Sequence, residues 1–465
     1  MVDKKETITA ITTALSPSGV GIIRISGKDS INIVSKIFKS KNKSDIDISA
    51  SHRIKYGFVY DGDDILDEVL VLTFIAPKSF TGEDVVEIQS HGSPLALQKI
   101  LELIINKGAR IAEPGEFTKR AFLNGRLDLA KAEAVSSFIM SQNDLALKAN
   151  FGQLSGKLSS KIEYFYSIIS ESIAHIEAYL DDPEHIEYDG FEENLKEKIC
   201  SIKDEIENLI NSYNDGKIIN EGINVCILGR PNAGKSSLLN SLLKEDRAIV
   251  SNIEGTTRDT VEEKINISGL TLNIIDTAGI RESVDEIEEI GIKRAFAKAN
   301  DADLIIYVVD LTKPLGNDDK KIIEFIKNKK YIVLLNKIDL LDKKLPKDEL
   351  YDSLCKELNK DFFYLSSAID EDSVENLKSN IRAMFINNEI NYNNQIIITN
   401  KRHKALLQDA KCSLEKVVSS INQGYSEDFL TIDLMAALES LSEILGKNAR
   451  EDVINDIFSK FCMGK

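Results

Sequence analysis

The chain has 465 residues, 43% hydrophobic and 29% charged, with a formal net charge of −17. That length predicts roughly two to four domains with sizeable cores. The acidic balance excludes a protein that grips nucleic acid through an overall basic surface, so an RNA would have to be held by a local patch or with a more basic partner.

No apolar run reaches the roughly 18 residues of a membrane span, and the opening "MVDKKETITA" lacks the apolar core of a secretory leader. Cys200, Cys226, Cys355, Cys412 and Cys462 stand singly, without zinc or disulfide spacing. A cytoplasmic protein with no membrane role is expected.

From about Thr7 to Ile111 the sequence alternates as strands do. "GVGIIRIS", "KYGFVYDGDDILDEVLVLTFI" and "DVVEIQS" are the clearest cases, with Asp61-Gly62 as the expected hairpin turn. A helix from about Pro94 to Lys107, stopped by Gly108, completes an α+β unit. Between Phe117 and about Tyr213 apolar residues fall at helical spacing, as in "KLSSKIEYFYSIISESIAHIEAYL", with "DDPEHIEYDG" as a break. A βα-alternating block follows from Asn224 to about Met384, whose short apolar runs "NVCILG", "TLNIIDT", "DLIIYVVD", "YIVLLNK" and "DFFYLSS" suit buried parallel strands. Helical spacing returns in "NKRHKALLQDAKCSLEKVVSSI" and "TIDLMAALESLSEILG". The expected architecture is multidomain α/β: an α+β domain over 1–117, a helical domain over 118–220 and 386–465, and a βα domain over 221–385 inserted within it.

The inserted block carries the chemistry. "GRPNAGKSS" (Gly229 to Ser237) lies between a predicted strand and a predicted helix, the setting of a phosphate-binding loop. Its glycines let backbone N–H groups curl around a β-phosphate at the positive end of the helix. Lys235 is expected on the β- and γ-phosphates, and the Ser236 hydroxyl on Mg²⁺. "DTAG" (Asp276 to Gly279), "NKID" (Asn336 to Asp339) and "SSA" (Ser366 to Ala368) follow at the ends of later strands. Asp276 suits the Mg²⁺ shell, and the Gly279 N–H suits a γ-phosphate. A carboxylate at Asp339 accepts both N1–H and the exocyclic amine of guanine, a donor pair that adenine lacks. In this order the motifs predict a Ras-like P-loop fold that binds GTP.

With "EGTTRDTVEEKI" these motifs resemble the translation-factor-related GTPases that include Era and Der. The flanking stretches "SPSGVGIIRISG", "SFTGEDVVEIQSHG", "EPGEFTKRAFLNGRLDLAKAEA" and "FCMGK" make the whole chain resemble the MnmE (TrmE) family of bacterial tRNA-modification GTPases. The resemblance implies a homodimer that works with an FAD-containing MnmG subunit on the wobble uridine of certain tRNAs. Together they install an aminomethyl or carboxymethylaminomethyl group at carbon 5, using a one-carbon unit from 5,10-methylene- or 5-formyl-tetrahydrofolate. It also makes 1–117 the folate-binding and dimerising domain. The competing expectation is an Era- or Der-like ribosome-assembly GTPase. Such a chain should end in a basic KH module or repeat its GTPase motifs, and this one does neither.

Residue by residue, the resemblance implies GTP contacts from Asn232, Ala233, Gly234, Lys235, Ser236 and Ser237. Further contacts are implied from Ser251, Asn252, Ile253, Glu254, Gly255, Thr256 and Thr257, from Asp276, Thr277, Ala278 and Gly279, and from Asn336, Lys337, Asp339, Ser367 and Ala368. Thr257 joins Ser236 on Mg²⁺. Ile280 stands where Ras-like enzymes place a glutamine, and the resemblance puts K⁺ in the role of a charge-neutralising arginine. Its implied ligands are Asn232, Ser251, Ile253 and Thr256, with Glu288 orienting the attacking water. Arg24, Glu83, Arg126 and Lys465 are the implied folate contacts, Arg126 standing where many members have lysine, and Cys462 matches the family's tail cysteine.

Overall fold

The computed structural model describes residues 6–185, 190–246, 261–267, 269–275, 296–297, 299–340, 347–365, 371–385 and 395–465. They form two compact units. One comprises Met1–Ile139, Gly152–Glu205 and Ala405–Lys465, the other Met140–Phe151 and Ile206–Lys404.

The first unit contains a sheet of strands β1 (Ile8–Ile11), β2 (Ser18–Ser26), β3 (Phe38–Lys39), β4 (Arg53–Asp61), β5 (Asp64–Phe74), β6 (Val85–Gly92) and β7 (Arg110–Ile111). Their order across the sheet is β3-β4-β5-β6-β2-β1-β7, antiparallel except where β1 meets β7. The two-residue loop between β4 and β5 is Gly62-Asp63, with Asp61 paired to Asp64. The turn therefore lies one residue later than Asp61-Gly62. The reason is conformational: the left-handed backbone, φ 60°, falls on Gly62 at the first loop position, where a glycine fits the strand twist.

One face of this sheet buries Ile23, Ile25, Val69, Val71, Val86 and Ile88 with Leu97, Ile100 and Ile104 of the helix Pro94–Asn106. That helix starts where expected, Pro94 following the N-cap Ser93, whose side chain accepts from Ala96 N–H. Full burial of each such Leu or Ile contributes about 1.5–3 kcal/mol. Strand alternation sends Arg24 and Glu87 to the other face, where they are register partners.

The unit's helices keep their apolar stripes inward. Ile162, Phe165, Ile169 and Ile176 of Lys157–Asp181 face Leu430, Leu434, Ala437 and Leu441 of Glu427–Leu445. The spacing of three or four residues marks amphipathic helices packed along one another. Among the described residues, no helix is long and apolar enough to cross a membrane.

The second unit has strands β8 (Ile223–Leu228), β9 (Val261–Ile267), β10 (Leu270–Ile275), β11 (Leu304–Asp310), β12 (Tyr331–Asn336) and β13 (Phe363–Leu365). Their order is β13-β12-β11-β8-β10-β9, parallel except for β9. Successive residues of β8 and β11 enter two different cores: Val225, Ile227, Leu304, Ile306 and Val308 one, Cys226, Leu228, Ile305, Tyr307 and Val309 the other. A sheet covered on both faces explains why these strands read as unbroken apolar runs. β8 lies between β10 and β11, and the chain turns to opposite sides of it, so the crevice beyond its C-terminal end is the place for a ligand.

Candidate functional site

The phosphate loop opens at that crevice. It runs from the end of β8 into the helix Lys235–Asp246, as its spacing predicted. Gly234 has φ 104°, and a Cβ there would stand 2.0 Å from Asn336 Nδ2, so only glycine lets the two segments meet. Asn336 Nδ2 donates to Ala233 O at 2.8 Å, tying the "NKID" strand end to the loop. Asn232 is left-handed at φ 62°, a conformation asparagine tolerates better than most residues.

Lys235 Nζ donates to Gly229 O at 2.8 Å and Arg230 O at 2.9 Å. No carboxylate pairs with it among the described residues, and burial pushes its pKa below the ordinary 10.5. A half-buried ammonium bonded only to carbonyls is suited to an incoming anion. Ser236 and Ser237 are exposed on the first turn beside it.

Lys337, at φ 66°, places Nζ 2.7 Å from Asp310 Oδ2. Burial opposes the Asp310 charge, but Lys337 and Thr312 outweigh it and hold the carboxyl below its ordinary value. Asp339 is exposed in the short turn Ile338–Leu340. The structure thus gathers Asn232, Ala233, Gly234, Lys235, Asn336 and Lys337. Ser251, Asn252, Ile253, Glu254, Gly255, Thr256, Thr257, Asp276, Thr277, Ala278, Gly279, Glu288, Ser367 and Ala368 lie outside the described residues.

A second candidate site lies in the first unit. A cavity of about 380 Å³ is lined by His52, Phe74, Phe80, Glu87 and Arg126, among others. Arg24 Nε sits 2.8 Å from Glu87 Oε1, and its guanidinium lies over Phe80 and Phe117 at 5.1 and 5.6 Å. Arg126 covers Phe80 at 5.3 Å with no carboxylate partner among the described residues.

The C-terminal residue comes to the same place. Phe117 N–H donates to Lys465 O at 3.2 Å. Gly464 has φ 84° and packs where a Cβ would stand 2.5 Å from Ile11 O. Burial, helped by the positive charge of Arg24, pushes the Lys465 pKa down. Cys462 is half-buried, and its carbonyl accepts Lys465 N–H at 3.4 Å.

Glu83 stands apart from the cavity lining. It accepts from Ser26 Oγ at 2.8 Å and from Arg120 Nη1 at 3.0 Å, within a chain of charges that continues through Glu116 to Arg110 and is buried at its centre, Arg120 and Glu116. The carboxylate on the cavity wall is Glu87, with Phe80 beside it; Phe117 lies under Arg24 and Arg120 pairs with Glu83, and the sequence alone singled out none of these four. A signal for Glu87 was present: in "IIRIS" and "VVEIQ" an opposite charge occupies the non-core position of each strand. Among the described residues, no cluster of three or more His, Cys, Asp or Glu could hold a metal ion.

Comparison with known proteins covers almost the whole chain. Residues 7–126 match the family model for the GTP-binding protein TrmE N-terminus, and residues 129–462 match that for the MnmE helical domain. A tRNA modification GTPase MnmE from Lachnoclostridium phytofermentans is 48% identical over 99% of this chain and 100% of its own. Another, from Acetivibrio thermocellus, is 44% identical with the same coverage. A crystal structure of Aquifex aeolicus Era is similar over 41% of this chain and 66% of its own, with 27% identity and a TM-score of 0.27.

Proposed function

The chain belongs to the MnmE family of tRNA modification GTPases, and from that premise we propose that it couples GTP turnover to one-carbon chemistry on the wobble uridine. It is a GTPase acting in tRNA modification. In our reading it works as a cytoplasmic homodimer with an FAD-containing MnmG subunit. A tetrahydrofolate supplies the carbon for an aminomethyl or carboxymethylaminomethyl group at carbon 5. Residues 1–117 form the folate-binding and dimerising domain, 118–220 and 386–465 the helical domain, and 221–385 the GTPase domain. Exposed Ile54, Tyr56 and Leu70, adjacent on β4 and β5, support a dimer face on the N-terminal sheet.

The observation that carries the folate reading is the cavity itself. Glu87 offers a carboxylate for the paired N–H donors of a pterin, Phe80 an aromatic wall, and Arg126, with Arg24 and Lys465 nearby, positive charge for a glutamate tail. In the GTPase unit Lys235 and the loop N–H groups hold the phosphates, Ser236 with Thr257 holds Mg²⁺, and Asp339 reads guanine. Asn232, Ser251, Ile253 and Thr256 would hold K⁺, which when bound would supply positive charge to the transition state, and Glu288 would orient the attacking water.

Reconstitution tests this reading. The protein, its FAD partner, tRNA, GTP, methylene-tetrahydrofolate and an amine are combined, and the tRNA nucleosides are analysed. Modified uridine is expected, with GTP turnover much faster in K⁺ than in Na⁺ at equal ionic strength. Glu288→Ala is expected to bind GTP normally and lose most of kcat. Product formed equally well without folate would sink the one-carbon assignment, and equal rates in the two salts would sink that of K⁺.

A further inference from the structure

Arg230 stands in the phosphate loop, but its side chain is anchored outside the phosphate cradle. Nε lies 2.8 Å from Asp319 Oδ2, and Nη2 donates to Pro314 O at 2.6 Å. Asp319, on the first turn of the helix Asn317–Ile326, is 2% exposed. Its Oδ2 also accepts Gly316 N–H at 2.8 Å, and its Oδ1 accepts the Tyr307 hydroxyl at 2.8 Å. Tyr307 is fully buried on β11 and is the register partner of Leu228, the last residue before the loop. Gly316 leaves room for the guanidinium, since a Cβ there would stand 3.0 Å from Arg230 Nη1. The Arg230 carbonyl, meanwhile, accepts from Lys235 Nζ and Ala233 N–H at 2.9 and 3.2 Å.

We propose that Asp319, held by Tyr307, is a positioning residue for nucleotide binding. It acts through Arg230 to hold the first half of the phosphate loop in its binding shape before nucleotide arrives. The cradle's donors are backbone N–H groups, so an unanchored loop would have to lose conformational entropy as it binds. A buried charge-assisted contact, backed by two further donors on the same carboxylate, removes that freedom in advance. Asp319 is buried against Arg230 and Tyr307, so GDP and GTP are expected to be affected alike and chemistry at saturation spared.

The test uses the full-length chain and fluorescent GDP and GTP analogues. Asp319→Asn is expected to weaken both about tenfold, a typical loss for one charge-assisted contact, with kcat at saturating GTP within about twofold of the parent. Arg230→Met is expected to match it, Arg230→Lys to recover part of the affinity, and the double variant Arg230→Met/Asp319→Asn to bind no worse than the weaker single. Reduced thermal stability with unchanged nucleotide affinity would make Asp319 a fold-stabilising residue only and overturn the proposal. Additive losses in the double variant would overturn it too. If Asp319→Asn does not fold, Tyr307→Phe removes one hydroxyl from the same carboxylate. A roughly threefold loss for both nucleotides then supports the proposal, and unchanged affinity refutes it.

Discussion

The phosphate loop draws its groups from consecutive positions, Gly229 to Lys235, whereas the cavity of the first unit gathers His52, Glu87 and Arg126 from separate segments of the chain. Their charges also stand differently. Lys235 is half-buried against carbonyls with no carboxylate partner among the described residues, while Arg24, beside the cavity, is already paired with Glu87. The loop is therefore expected to depend on its ligand for charge balance. The cavity has part of its balance built in, in the Arg24–Glu87 pair, while Arg126 has no carboxylate partner among the described residues. A ligand there must therefore complete an existing ion pair and add its own negative charge. A local backbone site tolerates few changes at one point, and a dispersed side-chain site divides its energy among several.

The largest effect should fall on the loop. Lys235→Ala is expected to weaken GDP and GTP binding by about a hundredfold or more, because one point charge serves the phosphates. A fluorescent nucleotide titration measures it, and a loss below about fivefold would place the main charge contact elsewhere.

Glu83→Ala sharpens the contrast on the other side. It leaves the Arg120 guanidinium, 5% exposed, without one of its two carboxylates. We expect a stability loss of roughly 3 kcal/mol by urea unfolding, with folate affinity changed little in the fraction that remains folded. A folate defect without a stability defect would return Glu83 to the ligand.

Glu116 gives the pH dependence of the same charge chain. Burial opposes its ionisation, but Arg110, the Glu113 N–H and Arg120 outweigh burial and hold its carboxyl below the ordinary 4.5. A folded-state pKa below the unfolded one means this stabilisation is present above about pH 4.5 and is lost as pH falls through the folded value. Glu116→Gln is expected to lower stability by about 2 kcal/mol at pH 7 and progressively less towards acid, measured by urea unfolding across that range. A pH-independent difference would show that the charge chain is not its cause.

The smallest change is Arg126→Lys. The positive charge stays and the planar contact over Phe80 goes, so folate affinity should fall only about two- to fivefold by calorimetry. A hundredfold loss would mean that Arg126 makes a bidentate contact which lysine cannot replace.

How far each site was legible in the sequence follows from the same contrast. The loop could be read because its geometry is local: a strand, a glycine-bearing turn and a helix follow one another within "NVCILGRPNAGKSS". The packed helices could be read from spacing, and the β4–β5 hairpin to within one residue of its turn. The cavity could not. Neighbouring charges in "FTGEDVVEIQ" include both Glu83 and Glu87, and nothing along the chain says which one Arg120 neutralises. Only sheet register, which sets Glu87 opposite Arg24, separates them. Asp319 was equally silent, since its partners Arg230 and Tyr307 lie 89 and 12 positions away.

We propose that one chain carries a nucleotide loop and a folate cavity whose wall carboxylate is Glu87. The most direct measurement is calorimetric titration of 5-formyltetrahydrofolate into the full-length protein and its Glu87→Ala variant, with GTP turnover recorded on the same samples. We expect binding by the parent, a loss of roughly ten- to a hundredfold in the variant, and unchanged turnover in both. No binding by the parent, or equal binding by Glu87→Ala, would contradict it.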